Sequence, residues 1–203
     1  MSIIRNALAG PLATALLTAG LLAACQNSPD NVKTAEKVNA DRIDSANKTA
    51  SLADSASVPT KQDAQFMVKA KSGNQLEVTL GELAQTNAQS LAVKRFGLMM
   101  VRDHTEGEKE LRSLAIAKRV VMPDTLSKQQ QKEADDLKKK TGHDFDKAYI
   151  DLMVDDHKED IDEFTKAAQQ ANDPDIKALA AKMVPVLKEH YDSARILKRN
   201  GGR

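Results

Sequence analysis

From about residue 61 onward, apolar side chains recur every three to four positions, and no stretch alternates apolar and polar with period two. That periodicity predicts helix throughout 61–199. Thr60-x-x-Asp63 starts a helix running to about 86, and Asn87-Ala88 breaks it. A second runs to about 119, where Met122-Pro123-Asp124 interrupts. Ser127-x-x-Gln130 is a capping box opening a short, very polar helix that stops at Gly142. Asp144 is placed to cap the next helix, to about 171. Asp173-Pro174 then supplies an N-cap and a first-turn proline for a last helix reaching about 198. Pro185 lies inside it and is expected to free the carbonyl of Ala181 and kink the helix. The predicted fold class is all-α: a four-helix bundle with a short extra helix in the crossover between the second and third long helices.

Each long helix carries an ionisable residue on or beside its apolar stripe. In the first, Glu77 interrupts Phe66, Ala70, Leu80 and Ala84. In the second, Phe96, Met100, Leu111 and Leu114 set the arc, with Asp103 close to its centre and His104 on its flank. In the third, Tyr149, Met153, Ile161 and Phe164 flank His157 and Asp160, with Asp156 nearer the edge. In the fourth, His190 falls between Leu187 and Ala194. Three phrases carry these histidines: MVRDH at 100–104, MVDDH at 153–157 and the looser VLKEH at 186–190. Counted from the turn near 172, His157 and His190 lie within about 5 Å of one level at 1.5 Å rise per residue. Counted from the turn near 87, Glu77 and the Asp103–His104 pair differ by about 9 Å on the same rule.

The chain start changes the picture of where this bundle works. A basic residue, Arg5, precedes an apolar run ending in LLAAC, the plan of a secretory signal over 1–24. Leu22-Ala23-Ala24-Cys25 resembles a lipobox, so Cys25 is the expected lipidation site and the lipid bilayer the expected partner through the acyl anchor. Gln26 after the cysteine favours an outer-membrane location facing the periplasm. Residues 25–60 are Ala/Ser/Asp/Lys-rich and poor in large apolar side chains, and are expected to be a flexible tether with transient helix around 33–55. The bundle then occupies 61–199 and a short tail 200–203.

Charge and composition remove several functions. The 30 Lys and Arg less Arg5 leave 29, against 29 Asp and Glu, and this balance gives no nucleic-acid footprint. Cys25 is the one cysteine, so no disulfide supports the core. No nucleophile elbow or phosphate-cradling glycine loop is present, and no small-molecule substrate is indicated.

Two readings of the inward ionisable residues stay open. One is a metal site in the bundle core, built from Glu77, Asp103, His104, His157 and His190, with neighbouring acids orienting the imidazoles. Its candidate cofactor is one transition metal, Zn, Cu, Fe or Ni. The other is a metal-free His–acid network that fixes helix register, in a structural or interaction module whose partners would be envelope proteins. A di-iron oxidase is disfavoured, because Glu-x-x-His occurs nowhere and His157-x-x-Asp160 reverses the order. Met100 and Met153, each four residues before a histidine, would suit copper but are more often core filler.

The ordered motifs Leu76-Glu77-Val78-x-Leu80-Gly81-x-Leu83-Ala84, Met100-Val101-x-Asp103-His104-Thr105, Gly142-x-x-Phe145-Asp146-x-x-Tyr149, Met153-x-x-x-His157 and Val184-Pro185-x-Leu187-x-x-His190 carry a resemblance. Across about 62–197 the chain resembles the bacterial envelope family called domain of unknown function four-one-four-two. The resemblance implies a ferritin-like helical bundle, secreted or anchored at the envelope, of uncharacterised activity. It also implies that Glu77, Asp103, His104, His157 and His190 are recurrent polar positions. Gly97 stands where the family commonly has Ala, a departure expected to loosen the second helix.

Overall fold

The computed structural model describes residues 29–49 and 58–202. The signal segment, Cys25 and residues 50–57 of the expected tether lie outside the described residues. Six helices follow in order: α1 (Asn31–Thr49), α2 (Lys61–Asn87), α3 (Leu91–Ala117), α4 (Lys128–Lys138), α5 (Gly142–Gln170) and α6 (Pro174–Arg199). The four long helices of the expected bundle are α2, α3, α5 and α6, and α4 is the short helix of the crossover. Hairpin α2–α3 packs on hairpin α5–α6 through α2 against α5 and α3 against α6, while α4 lies on α2 and α5.

Local signals fix most helix starts. Thr60 and Asp63 form a reciprocal capping box, as do Ser127 and Gln130, and Asp173 caps α6 with Pro174 in its first turn. Asp63 also accepts the backbone N–H groups of Asn172 and Asp173, tying the start of α2 to the α5–α6 turn. Asp144 does not cap α5. That helix begins earlier, at Gly142 after Thr141, with Asp144 in its first turn. Asp146 caps a different segment, accepting the N–H groups of Gln89 and Ser90 at the α2–α3 turn. α6 is continuous through Pro185.

Gly97 does the opposite of loosening α3. A Cβ there would lie 2.8 Å from both the Gly81 carbonyl oxygen and the Ala84 Cβ. The missing side chain lets α2 and α3 cross with their backbones in contact, and that close approach sets the spacing of the hairpin.

The flexible-tether expectation for 25–60 is overturned over 31–49, where α1 is a helix docked on α2. Its inner stripe is Val32, Ala35, Asn39 and Ile43, with Ala35, Asn39 and Ile43 buried. Asn39 bonds both backbone groups of Val121, its Nδ2 donating to the carbonyl and its Oδ1 accepting the N–H, each at 2.8 Å. Asp30 accepts the N–H of Lys128, and Lys61 pairs with Asp44 at 2.7 Å. Few apolar residues are needed because a backbone-directed amide does much of the docking, and hydrophobicity alone cannot register that.

The core is divided. One apolar cluster contains Phe66, Met67, Leu111, Phe164, Ile176 and Leu187, and the other Leu80, Phe96, Met100, Phe145, Tyr149 and Met153. Between them on each long helix sits a buried polar residue: Glu77, His104, His157 and His190. Burying each large apolar side chain contributes about 1.5–3 kcal/mol, so the two clusters hold the bundle from both sides of this layer.

Replacing Asn39 by Ala leaves the Val121 N–H and carbonyl without partners. We expect a loss of about 2 kcal/mol in denaturant unfolding, with faster amide exchange throughout α1. Unchanged stability and exchange would show that α1 docks without this contact.

Candidate metal centre

Four helices each place one buried group in the polar layer. Glu77 comes from α2, His104 from α3, His157 from α5 and His190 from α6, all 2% exposed or less. The three rings meet edge to face or tilted, with centroids 5.2–5.7 Å apart. The expected 9 Å offset between Glu77 and His104 does not occur, since Glu77 Oε2 lies 2.8 Å from His104 Nδ1. The connection is 88–90 rather than a point at 87. Measured from its centre, the two residues stand at nearly equal depths, within about 5 Å.

Partners outside the cluster fix where each imidazole carries its proton. His157 Nδ1 lies 3.0 Å from the Met153 carbonyl oxygen, which can only accept. His190 Nε2 lies 3.0 Å from Asp103 Oδ2. Asp103 is an acceptor too, because its bonds to Arg102 hold its carboxyl below the usual carboxylate range. His104 Nδ1 faces Glu77 Oε2 and, at 2.8 Å, Asn74 Oδ1. His157 and His190 therefore donate outward, and His104 donates to Asn74 and Glu77, which leaves the second nitrogen of each ring as a lone pair when the ring is neutral. Two of those lone pairs, on His157 Nε2 and His190 Nδ1, face each other at 3.3 Å. The third, on His104 Nε2, is buried with no hydrogen-bond partner. Glu77 Oε1 is likewise buried without a hydrogen bond and sits 3.3 Å from His157 Nε2.

The electrostatics favour the neutral form of His157 and His190. Burial pushes the His157 pKa down against the pull of Glu77. Burial also takes His190 down to about 4, although Asp103 favours its charged form. For Glu77, burial opposes ionisation, but the imidazoles, His104 foremost, hold it below its usual value, so the buried group is a carboxylate.

One ring nitrogen from each histidine lies within 4.8 Å of the others, the one such group of potential ligands among the described residues. Metal–nitrogen bonds of 2.0–2.1 Å in a tetrahedron separate neighbouring donors by about 3.3–3.4 Å. The His157–His190 and His157–Glu77 distances already match that edge. Three imidazole nitrogens could therefore hold a transition-metal ion, with the Glu77 carboxylate beside His157 and His104.

Of the residues singled out in the sequence, Glu77, His104, His157 and His190 converge. His104 rather than Asp103 is the inward member of its pair, and Asp103 reaches His190 from the edge, with its side chain 23% exposed. Met153 serves His157 through its backbone carbonyl, and with Met100 it packs in the apolar core. Asn74 is a partner that periodicity did not single out. Its signal is its position three residues before Glu77, on the same helix face.

The family described as domain of unknown function DUF4142 matches residues 46–197. The chain belongs to that family. Among solved structures, the DUF4142 chain is similar to a DUF305 fragment from Deinococcus radiodurans, with TM-score 0.63 and 12% identity over 70% of this chain and 99% of that one. It is also similar to CopM in its Cu(I)-bound form, with TM-score 0.58, 16% identity and coverage of 68% and 96%. The Cu(II)-bound form of CopM gives TM-score 0.57 and 18% identity, with coverage of 68% and 96%. At these identities the likeness establishes a shared helical-bundle fold. Nothing among the curated proteins matches.

Asp156 borders the centre and carries an electrostatic penalty. Burial, reinforced by Glu77, raises its pKa from 3.8 to about 7. The folded chain therefore binds this proton more tightly than the unfolded chain does. Stability from this group is complete below about pH 4 and is lost as pH rises to about 7. Asp156→Asn removes the effect. In the metal-free protein it should stabilise by on the order of 2 kcal/mol at pH 8 and by almost nothing at pH 4. Thermal melts of both proteins across that range check this; an equal effect at both ends would show that Asp156 is not strained by its charge.

Proposed function

We propose that this domain binds one transition-metal ion in the middle of the bundle, through His104, His157, His190 and Glu77. The observation that carries the reading is the pair of lone pairs facing each other at 3.3 Å between His157 Nε2 and His190 Nδ1. Their outer nitrogens are already committed to the Met153 carbonyl and to Asp103. Without an ion the two lone pairs repel, and the ways to relieve this are to turn a proton inward, leaving the Met153 carbonyl or the Asp103 carboxylate facing a bare nitrogen, or to charge a ring in a buried layer. Both are costly. A cation between the rings removes the repulsion and neutralises the buried Glu77 carboxylate.

Imidazole suits Zn, Cu, Fe and Ni, and the single hard carboxylate favours Zn(II) or Cu(II) over Cu(I). That the similar CopM structures hold copper supports keeping copper beside zinc. With the lipobox at Cys25 and the signal-like start, the role we propose is a lipid-anchored envelope domain that buffers or senses such a metal. Outward hydrogen bonds orient all three rings, as partners of metal-bound histidines do. The second reading, a metal-free module at the envelope, is favoured by the same 3.3 Å contact if it holds a shared proton.

The full chain, purified in detergent without affinity-tag metals, should carry about one equivalent of metal by mass spectrometry. His157→Ala with His190→Ala should abolish it. Adding the metal at a hundredfold excess over its Kd should stabilise the wild type by about 2.7 kcal/mol and leave the double variant unmoved. No bound metal, and no shift in melting with Zn, Cu, Fe or Ni, would overturn the metal reading in favour of the metal-free module.

A further inference from the structure

An open pocket of about 410 Å³ lies between α2, α4 and α5, with Val32 of α1 at its edge. Six acids line it: Glu77, Glu133, Asp156, Glu159, Asp160 and Glu163. Lys69 stands against them, 3.5 Å from Glu163. Acids in such number are ordinary on a surface, but two features here are not. Glu77 lines the pocket while only 2% exposed, and its Oε1 has no hydrogen-bond partner. Asp156 Oδ2 is also buried and unpartnered on the same wall. Gly73, one turn before Glu77, lines the pocket without a side chain, and a Cβ there would make an ordinary contact, 3.9 Å from Asp160 Oδ1. The pocket thus brings Asp160 and Asp156 to the same wall as the carboxylate that faces the imidazoles.

We propose that this pocket is a divalent-cation vestibule, through which the metal reaches the histidines by way of Asp160, Asp156 and Glu77. The inference rests on the metal reading above. A cleft lined by one sign of charge concentrates counter-ions and raises their on-rate about 10–1,000-fold. Glu77 belongs to both pocket and centre, so it can take an incoming ion on one side and present it to His157 on the other. The ring nitrogens themselves are buried, and this wall is where a charged ion is compensated on the way in.

The test follows cobalt(II) entering the metal-free full chain in detergent, by stopped-flow visible absorption. Asp156→Asn with Asp160→Asn should slow loading about tenfold or more while reaching the same final spectrum, because the histidines are intact. Raising the ionic strength should slow the wild type more than the variant. Glu133→Gln with Glu163→Gln, at the pocket rim and away from the histidines in sequence, should slow loading several-fold and provides the test if the first variant fails to fold. Loading at the wild-type rate in a folded variant would overturn the vestibule and leave the metal centre standing. A wild type that takes up neither cobalt nor any other transition metal would overturn the centre, and the vestibule with it.

Discussion

A buried carboxylate among three buried imidazoles is the constraint around which this bundle is built. Glu77, His104, His157 and His190 each come from a different long helix and meet in a layer with apolar packing on both sides. No one of these groups could be buried alone without a large penalty. Their protons go to Asn74, Glu77, the Met153 carbonyl and Asp103, so a positive charge in the layer would be favoured. The outer partners, Asn74, the Met153 carbonyl and Asp103, hold the rings so that their free nitrogens turn inward. Under the proposed function, an ion bound in this layer would touch all four helices at once and stabilise the native state by mass action.

The repeated phrases acquire different meanings once folded. All three end in a histidine of the same layer, yet the acid before each one does a different thing. Asp103 accepts from His190 and pairs with Arg102. Asp156 turns to the acidic pocket. Glu189 is exposed. Neighbouring residues on a helix point about 100° apart, so a shared spelling fixes the histidine and leaves the acid to local surroundings. That is how one short pattern supplies a buried histidine, an orienting partner and part of a pocket wall.

Much of this was legible before folding. The 3.6-residue stripes placed Glu77, His157 and His190 on inner faces, and the capping residues at 60, 127 and 173 set three helix starts. The rest depended on information that periodicity does not hold. Stripe angles placed Asp103 nearer the centre than His104, because a few degrees of helix rotation decide between adjacent residues. Depth along α2 and α3 depended on where a three-residue connection is centred. The docking of α1 depended on Asn39 finding the backbone of Val121, a contact between segments 82 positions apart. Gly97 is informative only beside Gly81, which approaches it across the hairpin.

The central claim is that the metal-free centre holds three neutral imidazoles with their lone pairs turned toward one another. Nitrogen-15 NMR of labelled imidazoles in the metal-free protein at pH 7 reads this directly. The account predicts protonated Nδ1 on His104 and His157, protonated Nε2 on His190, and the other nitrogen of each ring bare. A doubly protonated ring, or a proton shared between His157 Nε2 and His190 Nδ1, would contradict it and make the layer a self-sufficient hydrogen-bonded network.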